Sequence, residues 1–359
     1  MYKSYVKDRF FANQFTRKYV EEQIVQDFVA YHYESYLMGS LNIHAKVKDK
    51  IKELRTFSEK YTVVMPIGGI RLDGMRSLKI GNVKIGFFRK RKFPFRELRK
   101  FPRLSSFLEG LEGQLVGIVE VEGETLKANE KALSEVSKAL NAVRLYVLTF
   151  HSRSSDVQIR IMPEIMIGRT GPTLLDRTKK DILYSGEQRA GVMPFVINNE
   201  NLKKMRSLRF DDVKSLLKKG PIELSPFERE LLLAINWYGV AVDMTDSVLK
   251  FLNYAIVLEV LVSKQEKDSD RTITDKLAEG VAFLLGRGYN NRVKIKRDIK
   301  TLYGIRSSIV HRGKQSVEVK HLRLIEYVAL ILILELLKKR KEFPTKRDLL
   351  EWIEKRRLR

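Results

Sequence analysis

The sequence predicts an α+β protein: a mixed helix and strand domain over residues 1–218, then an all-α helical bundle over residues 222–359. Three observations predict this fold class. Short apolar runs with a period of two occur between residues 61 and 197, which is typical of strands. Beyond residue 226 the apolar positions recur every three or four residues, which is typical of helices. A Gly-Pro pair at 220–221 interrupts the chain between the two patterns.

In the first domain, a helical start precedes the strands. The first 60 or so residues contain no glycine or proline before Gly39, and they predict helices. The run "YTVVMPI" predicts a strand, and "LKIGNVKIGFF" predicts a hairpin, because Gly81-Asn82 favours a two-residue turn. Further strands are predicted at "LVGIVEVEGE", "VQIRIMPEIMI" and "VMPFVI". A helix is predicted from about residue 128 to 148, with an apolar stripe of Ala132, Leu133, Val136, Leu140 and Val143.

Six helices are predicted in the second domain. The first begins at Ser225-Pro226, and Glu228 follows the serine by three residues, which is the pattern of a capped helix start. Glycine, aspartate, asparagine, threonine or proline punctuates each helix end. The predicted helices lie near 226–243, 247–264, 273–286, 291–312, 317–341 and 346–358.

The chain is strongly basic, with 68 Lys and Arg against 44 Asp and Glu and a formal net charge of +24. A surplus of this size favours polyanions through counterion release, so nucleic acid is the leading class of partner. Most of the surplus lies in the first domain, which we expect to bind RNA or to sense a trigger. The alternative is a charged surface like those of thermophilic proteins, but their ion-pair networks need a more even balance of charge.

Composition and motifs exclude several classes of function. The absence of cysteine excludes disulfides, thiol catalysis and cysteine-ligated metals. The five histidines lack metal-ligand spacing, and no phosphate-binding or dinucleotide-binding glycine motif occurs, so we expect neither metal nor cofactor. The longest apolar run, residues 327–337, is too short to span a bilayer, and the first residues lack the apolar core of a signal peptide. We therefore expect a cytoplasmic protein without a membrane partner.

One segment of the first domain combines basic and aromatic residues. The stretch "RKRKFPFRELRKFPR", residues 89–103, carries eight basic residues and one acidic residue. Aromatic rings can stack on unpaired bases while arginines neutralise phosphates, so this segment is a candidate single-strand-binding loop. The candidate RNA-binding residues are Arg89, Lys90, Arg91, Lys92, Phe93, Phe95, Arg96, Arg99 and Lys100. Equally open is a solvated basic loop whose phenylalanines anchor it to the core.

The predicted helix from residue 291 carries an arginine on its apolar face. The apolar positions at three- and four-residue spacing are Ile295, Ile299, Leu302, Ile309 and Val310, and Arg306 falls on the same face. An arginine there is costly unless it is paired, and the best partner is Glu259, which lies in the apolar run "YAIVLEVLV" of an earlier helix. The pair would orient Arg306, or it would only define the register of the bundle.

A histidine follows five residues later, where Gly313 predicts the helix end. In a regular helix His311 lies about 140° around the axis from Arg306 and about 7.5 Å along it. The two side chains converge only if the helix ends between Val310 and Arg312, or if a second copy packs against this face about a twofold axis. A histidine in this position stays titratable near neutral pH.

The stretch "YGIRSSIVHRGK", with Arg306 and His311 in an R-x4-H spacing, resembles the HEPN superfamily of endoribonucleases. The order of "LKFLNYAIVLEVLV", "ITDKLAEGVAFLLG", this motif and "LIEYVALILILELLK" looks most like the Apea-like HEPN branch, over about residues 226 to 340. The helix "ANEKALSEVSKALNAVRLYVL" also resembles one that occurs upstream in that branch.

The resemblance implies metal-independent RNA cleavage at a dimer interface, with 2′,3′-cyclic phosphate products. His311 would be the general acid or base and Arg306 the phosphate clamp, which suits both residue types. Ser307 stands where the family often has Asn, Asp or His directly after the arginine, so the third contributor is open. Ser307 could orient His311, Glu259 could orient Arg306, and Lys314 is a further candidate contact for RNA.

Proteins of this resemblance commonly act in defence against phage or as growth-arresting toxins, so an antitoxin is one expected partner. The alternative function is a non-catalytic RNA-binding or dimerisation scaffold, which need not keep both Arg306 and His311. A third reading is an adaptor that a nucleotidyltransferase partner silences.

Overall fold

The protein has the α+β fold that the sequence predicts: strands in its N-terminal half and helices in its C-terminal region. The structure is a computed structural model. The described residues are 9–22, 32–33, 37–39, 43–56, 59–89, 109–162, 173–176, 181–185, 193–263 and 272–357.

The N-terminal half contains four short or medium helices and nine strands within its described residues. The helices are α1 (Arg9–Gln14), α2 (Arg17–Val20), α3 (Ile43–Arg55) and α4 (Thr125–Arg144). The strands are β1 (Lys60–Gly68), β2 (Ile70–Leu72), β3 (Ser77–Ile80), β4 (Val83–Phe87), β5 (Leu115–Glu122), β6 (Arg160–Ile161), β7 (Thr173–Asp176), β8 (Asp181–Ser185) and β9 (Phe195–Ile197). The main sheet has the order β3-β4-β5-β1-β6, while β2 pairs with β9 in parallel and β7 pairs with β8. The β7–β8 hairpin was not predicted from the sequence.

The predicted hairpin at Gly81-Asn82 is confirmed. Strands β3 and β4 are antiparallel, with Ile80 opposite Val83 across a two-residue turn. Gly81 has a φ of +57°, which favours glycine. A Cβ at this position would also lie 3.0 Å from the Leu217 carbonyl oxygen. The turn therefore requires glycine for its conformation and for the close approach of another backbone.

The apolar stripe of α4 is confirmed with one correction. Ala132, Val136, Leu140 and Val143 are buried, but Leu133 is 48% exposed. Leu133 follows Ala132 by about 100° around the helix, and that rotation moves it out of the buried face. The helix also ends at Arg144, four residues before the predicted end, and a 3-10 turn follows at Val147–Thr149.

All six predicted helices of the C-terminal region are present. Two shorter helices, α5 (Asn199–Ser207) and α6 (Phe210–Lys218), precede them. The six are α7 (Pro226–Asp243), α8 (Ser247–Val262), α9 (Ile273–Leu285), α10 (Tyr289–Arg312), α11 (Val319–Lys339) and α12 (Lys346–Arg357). The predicted capped start of α7 is confirmed: the Ser225 side chain accepts from the Glu228 N–H, and the Glu228 carboxylate accepts from the Ser225 N–H.

The chain divides into two compact units: residues 1–65 with 117–136, and residues 66–116 with 137–359. In the first unit, Phe15, Val20 and Leu54 form a buried cluster. In the second, α7 packs on α8 and α11, and α10 packs mainly on α9 and also on α8. The interval between α6 and α7, where the sequence predicts a domain border, lies inside the second unit.

Polar side chains form a buried cluster where α7, α8 and α11 meet. The Tyr254 hydroxyl donates to Glu326 Oε1 at 2.6 Å, and both residues are at most 5% exposed. The Tyr238 and Tyr254 ring centroids lie 5.2 Å apart. Lys250 is buried beside the same carboxylate, and this burial lowers the pKa of its ammonium group. Since unpaired buried polar groups are costly, we expect the cluster to define the register of these three helices.

Candidate active site

Helix α10 carries the R-x4-H motif and ends as the sequence predicts. Gly313 follows the last helical residue, with a φ of +64°, and its N–H donates to the Ser308 carbonyl. The Lys314 N–H also donates to that carbonyl, at 3.3 Å. These two bonds close the C-terminus of the helix in the left-handed glycine conformation common at helix ends. His311 still lies within the last helical turn, so it remains about 140° around the axis from Arg306.

The predicted pair between Arg306 and Glu259 is confirmed. Arg306 Nε lies 3.2 Å from Glu259 Oε1, and the two side chains are 30% and 28% exposed. The partial burial strengthens the pair relative to a fully solvated one, but both groups still reach water. Arg306 makes no other ion pair or side-chain hydrogen bond with a described residue, and 30% of its side chain is exposed. That exposed part is accessible to an anion that approaches from solvent.

Tyr303 completes this arrangement, and sequence reasoning missed it. Its hydroxyl donates to the same Glu259 Oε1 atom at 2.7 Å. Tyr303 is only 6% exposed, and burial together with this hydrogen bond raises the pKa of its hydroxyl well above the usual value. The hydroxyl thus stays protonated and holds Glu259 in place beside Arg306. The sequence did contain one signal for it: Tyr303 precedes Arg306 by three residues, so the two side chains are neighbours on the helix surface.

Lys346, at the start of α12, also supports Glu259. Its ammonium group donates to the backbone carbonyls of Glu259 and Val260, at 3.2 and 2.6 Å. These carbonyls lie in the last turn of α8, where orphan acceptors need donors. No signal in the sequence could have found this contact, because Lys346 lies 87 residues from Glu259.

The apolar stripe of α10 is confirmed except at one position. Ile299, Leu302 and Ile309 are buried, and Ile295 is partly buried. Val310 is 49% exposed, so its assignment to the buried face was wrong. It follows Ile309 by about 100° around the helix and turns away from α9, on which α10 packs.

His311, Ser307 and Lys314 lie on the surface. All three are exposed, and none of their side chains makes a hydrogen bond or ion pair with another described residue. Ser307 precedes His311 by one helical turn and shares its outward face. His311 is thus accessible to a ligand, but within one chain it lies on a different face of α10 from Arg306.

The predicted RNA-binding loop lies almost wholly outside the described residues. Arg89 is described: its Nη1 atom donates to Glu112 Oε1 at 3.2 Å, and both side chains are about half exposed. The residues beyond the described part are Lys90, Arg91, Lys92, Phe93, Phe95, Arg96, Arg99 and Lys100. Binding of RNA by this loop stays a prediction.

The described residues contain no metal-binding group of three or more histidine, aspartate or glutamate side chains. Among the helices of those same ranges, none has the length and apolar character needed to cross a membrane.

Comparison with known proteins leaves the chain without a match, since no family model, curated protein or solved structure is significantly similar to it. The HEPN resemblance therefore stays a prediction based on the R-x4-H spacing and the helix order.

Proposed function

We propose that the protein is a metal-independent endoribonuclease of the HEPN type. The observation that supports this most strongly is the position of Arg306, which is paired on one side and partly exposed. Glu259 pairs with its Nε atom and accepts a hydrogen bond from Tyr303, while 30% of the Arg306 side chain stays exposed. A guanidinium oriented in this way is suited to binding phosphoryl oxygens in a bidentate manner. His311, exposed near the end of the same helix, supplies an imidazole that can exchange a proton with a ligand.

In the proposed reaction, the ribose 2′-oxygen attacks the adjacent phosphorus. His311 accepts the 2′-OH proton or donates a proton to the departing 5′-oxygen. The bond between phosphorus and the 5′-oxygen breaks, which leaves a 2′,3′-cyclic phosphate and a 5′-hydroxyl. Arg306 stabilises the negative charge that develops on the non-bridging oxygens. Glu259 and Tyr303 act as positioning residues for Arg306, and Ser307 is the candidate for orienting His311.

Two copies of the chain are part of this proposal. Because Arg306 and His311 lie about 140° apart around α10, one helix presents them to different directions. A twofold axis beside α10 would bring Arg306 of one copy and the partner's His311 to the same phosphate. We therefore propose a homodimer through the helical bundle, with composite active sites.

The proposed biological setting is defence or toxin-type growth arrest in the cytoplasm, with RNA as substrate and an antitoxin or nucleotidyltransferase as candidate partner. Induced expression of the wild type should then slow growth more than expression of His311→Ala. Equal growth of the two strains would contradict the toxin proposal.

The alternative function is a non-catalytic RNA-binding or dimerisation scaffold. The contacts of Glu259 with Tyr303 and Arg306 support this alternative too, because they would also define how α8 and α10 pack against each other. Under this alternative, loss of Arg306 lowers stability and nothing else.

The deciding experiment is cleavage of a labelled mixed RNA pool in excess EDTA, with analysis of the product ends. Arg306→Ala and His311→Ala should abolish cleavage, whereas the control variants Arg323→Ala and His321→Ala, both on α11, should retain it. Products should carry cyclic phosphate ends. RNA binding without cleavage in the wild type and all variants would favour the scaffold.

Mixing the two inactive variants tests the composite site. A heterodimer of Arg306→Ala and His311→Ala has one intact pair, so random exchange of subunits should restore about a quarter of wild-type activity. Activity that stays at zero after verified exchange would contradict a site shared between subunits.

A further inference from the structure

The outward face of α10 carries a row of basic and small polar residues that leads to His311. Using about 100° of rotation per residue, the exposed positions within about 80° of one line on the helix can be assigned. From residue 294 onward these positions, called here the α10 track, are Lys294, Arg297, Lys300, Thr301, Gly304, Ser307, His311 and Arg312. Tyr289, Asn290 and Val293 lie in the same window, before the track begins. None of them is acidic. The four cations of the track therefore favour a positive potential on this side of the helix.

The track is open to solvent, and its charge is only partly neutralised. The side chain of Arg297 is 76% exposed and lies 3.8 Å from Asp298, which is a weak contact. Lys300 pairs with Asp275 at 2.5 Å but keeps 47% of its side chain exposed. Lys294 forms no ion pair within the described residues. Asp275 lies on α9, and Lys296, outside the track, pairs with the more buried Glu279 of the same helix.

Gly304 lies in the middle of the track and packs against no other described residue. It is exposed, and a Cβ added there would meet no atom within 4 Å. Glycine inside a helix costs about 1 kcal/mol relative to alanine, and no close approach of the described chain requires it. The Ser308 hydroxyl donates to the Gly304 carbonyl at 2.9 Å, and Ser307 and Ser308 place only small polar side chains after the glycine. Because residue 304 has no side chain, a ligand has room to lie against the helix between Lys300 and His311.

We infer that the α10 track binds the phosphate backbone of single-stranded RNA and delivers it to His311. Exposed cations that are only partly neutralised attract phosphates, and the absence of large side chains at 304, 307 and 308 allows the strand to pass close to the helix. The inference rests on the proposed function for its choice of RNA over another polyanion. It is independent of the basic loop at 89–103, because the track lies entirely on α10.

Equilibrium binding to a fluorescent oligouridylate tests the track. All proteins carry His311→Ala so that the RNA stays intact, and binding is measured from about 50 to 300 mM salt. The track variant is Lys294→Gln with Arg297→Gln; Lys300 is kept because it pairs with Asp275. The matched control is Lys338→Gln with Lys355→Gln, which removes the same charge from exposed sites on α11 and α12. Size-exclusion chromatography confirms that the variants share one oligomeric state.

The track variant should bind at least about tenfold more weakly at low salt, and its salt slope should fall by about 1.4, or about 0.7 for each lost phosphate contact in single strands. The control should differ from the parent by less than about twofold. Gly304→Leu should also weaken binding while leaving the thermal unfolding temperature unchanged or higher, because leucine is the better helix former and meets no atom of the chain at its Cβ.

Equal affinities and slopes for the track and control variants would overturn the inference, because RNA would then respond only to total charge. A different result would contradict the nuclease proposal. If the track variant binds RNA more weakly but the wild type never cleaves RNA, the track is supported and the nuclease is rejected. If the wild type cleaves RNA, and the track variant binds and cleaves it equally well, the nuclease is supported and the track is rejected.

Discussion

Removal of the Glu259 carboxylate should destabilise the bundle through two separate losses. Glu259→Ala leaves the Tyr303 hydroxyl, in a residue only 6% exposed, without its acceptor, which costs about 1–3 kcal/mol. Arg306 also loses its partner, but its side chain is 30% exposed, so solvent limits that loss to about 0.5–1 kcal/mol. The free energy of unfolding should therefore fall by about 1.5–4 kcal/mol. Tyr303→Phe, which removes the donor and leaves Glu259 partly solvated, should cost about 1 kcal/mol.

Urea unfolding of the two single variants and of the double variant measures the coupling between these residues. The double variant leaves no unsatisfied hydroxyl, so the cycle should give a coupling of about 1 kcal/mol or more. Glu351→Ala, which breaks the exposed pair with Arg347 on α12, is the control and should change stability by less than about 0.5 kcal/mol. A coupling below about 0.3 kcal/mol would refute the hydrogen bond between Tyr303 and Glu259 as a stabilising contact.

Three further predictions concern stability. Tyr254→Phe leaves the buried Glu326 carboxylate without its 2.6 Å donor and should lower the free energy of unfolding by about 1–3 kcal/mol; an unchanged urea midpoint would contradict this. Burial alone would raise the pKa of Glu228, but bonds from the Lys219 ammonium group and the Ser225 N–H hold it below 4.5. Its stabilisation is therefore present above about pH 4.5 and lost as the pH falls through the lower folded value, so Glu228→Gln should make acid unfolding curves shallower. Gly304→Ala should raise the free energy of unfolding by about 1 kcal/mol, and a fall in thermal unfolding temperature would show that the position is not open.

Several features of the bundle followed from local rules. The six helices were predicted because glycine, proline and capping residues end each apolar pattern, and those signals act within a few residues of the helix end. The capping contacts of Ser225 and Glu228 involve residues three apart, so the sequence already contained both partners. The hairpin at Gly81-Asn82 was predictable for the same reason.

Errors arose where the position of a neighbouring element decided the outcome. Periodicity assigned Leu133 and Val310 to buried faces, yet both are about half exposed. An apolar stripe of a helix has an approximate width, and only the partner element decides which residue at its border is covered. The β7–β8 hairpin was missed because its short strands, "TLLD" and "DILYS", lack a strong alternating pattern.

The sequence by itself determined the α+β class, the helices of the bundle and the pairing of Arg306 with Glu259, because one acidic residue on an apolar helix was the evident partner for one arginine on another. Only the tertiary structure brought Tyr303 onto the same carboxylate oxygen and Lys346 onto the end of α8. It also separated His311 from Arg306 by keeping α10 helical through Arg312. These contacts depend on how helices cross in three dimensions, and crossing geometry is set by packing across the whole bundle, not by spacing along the chain.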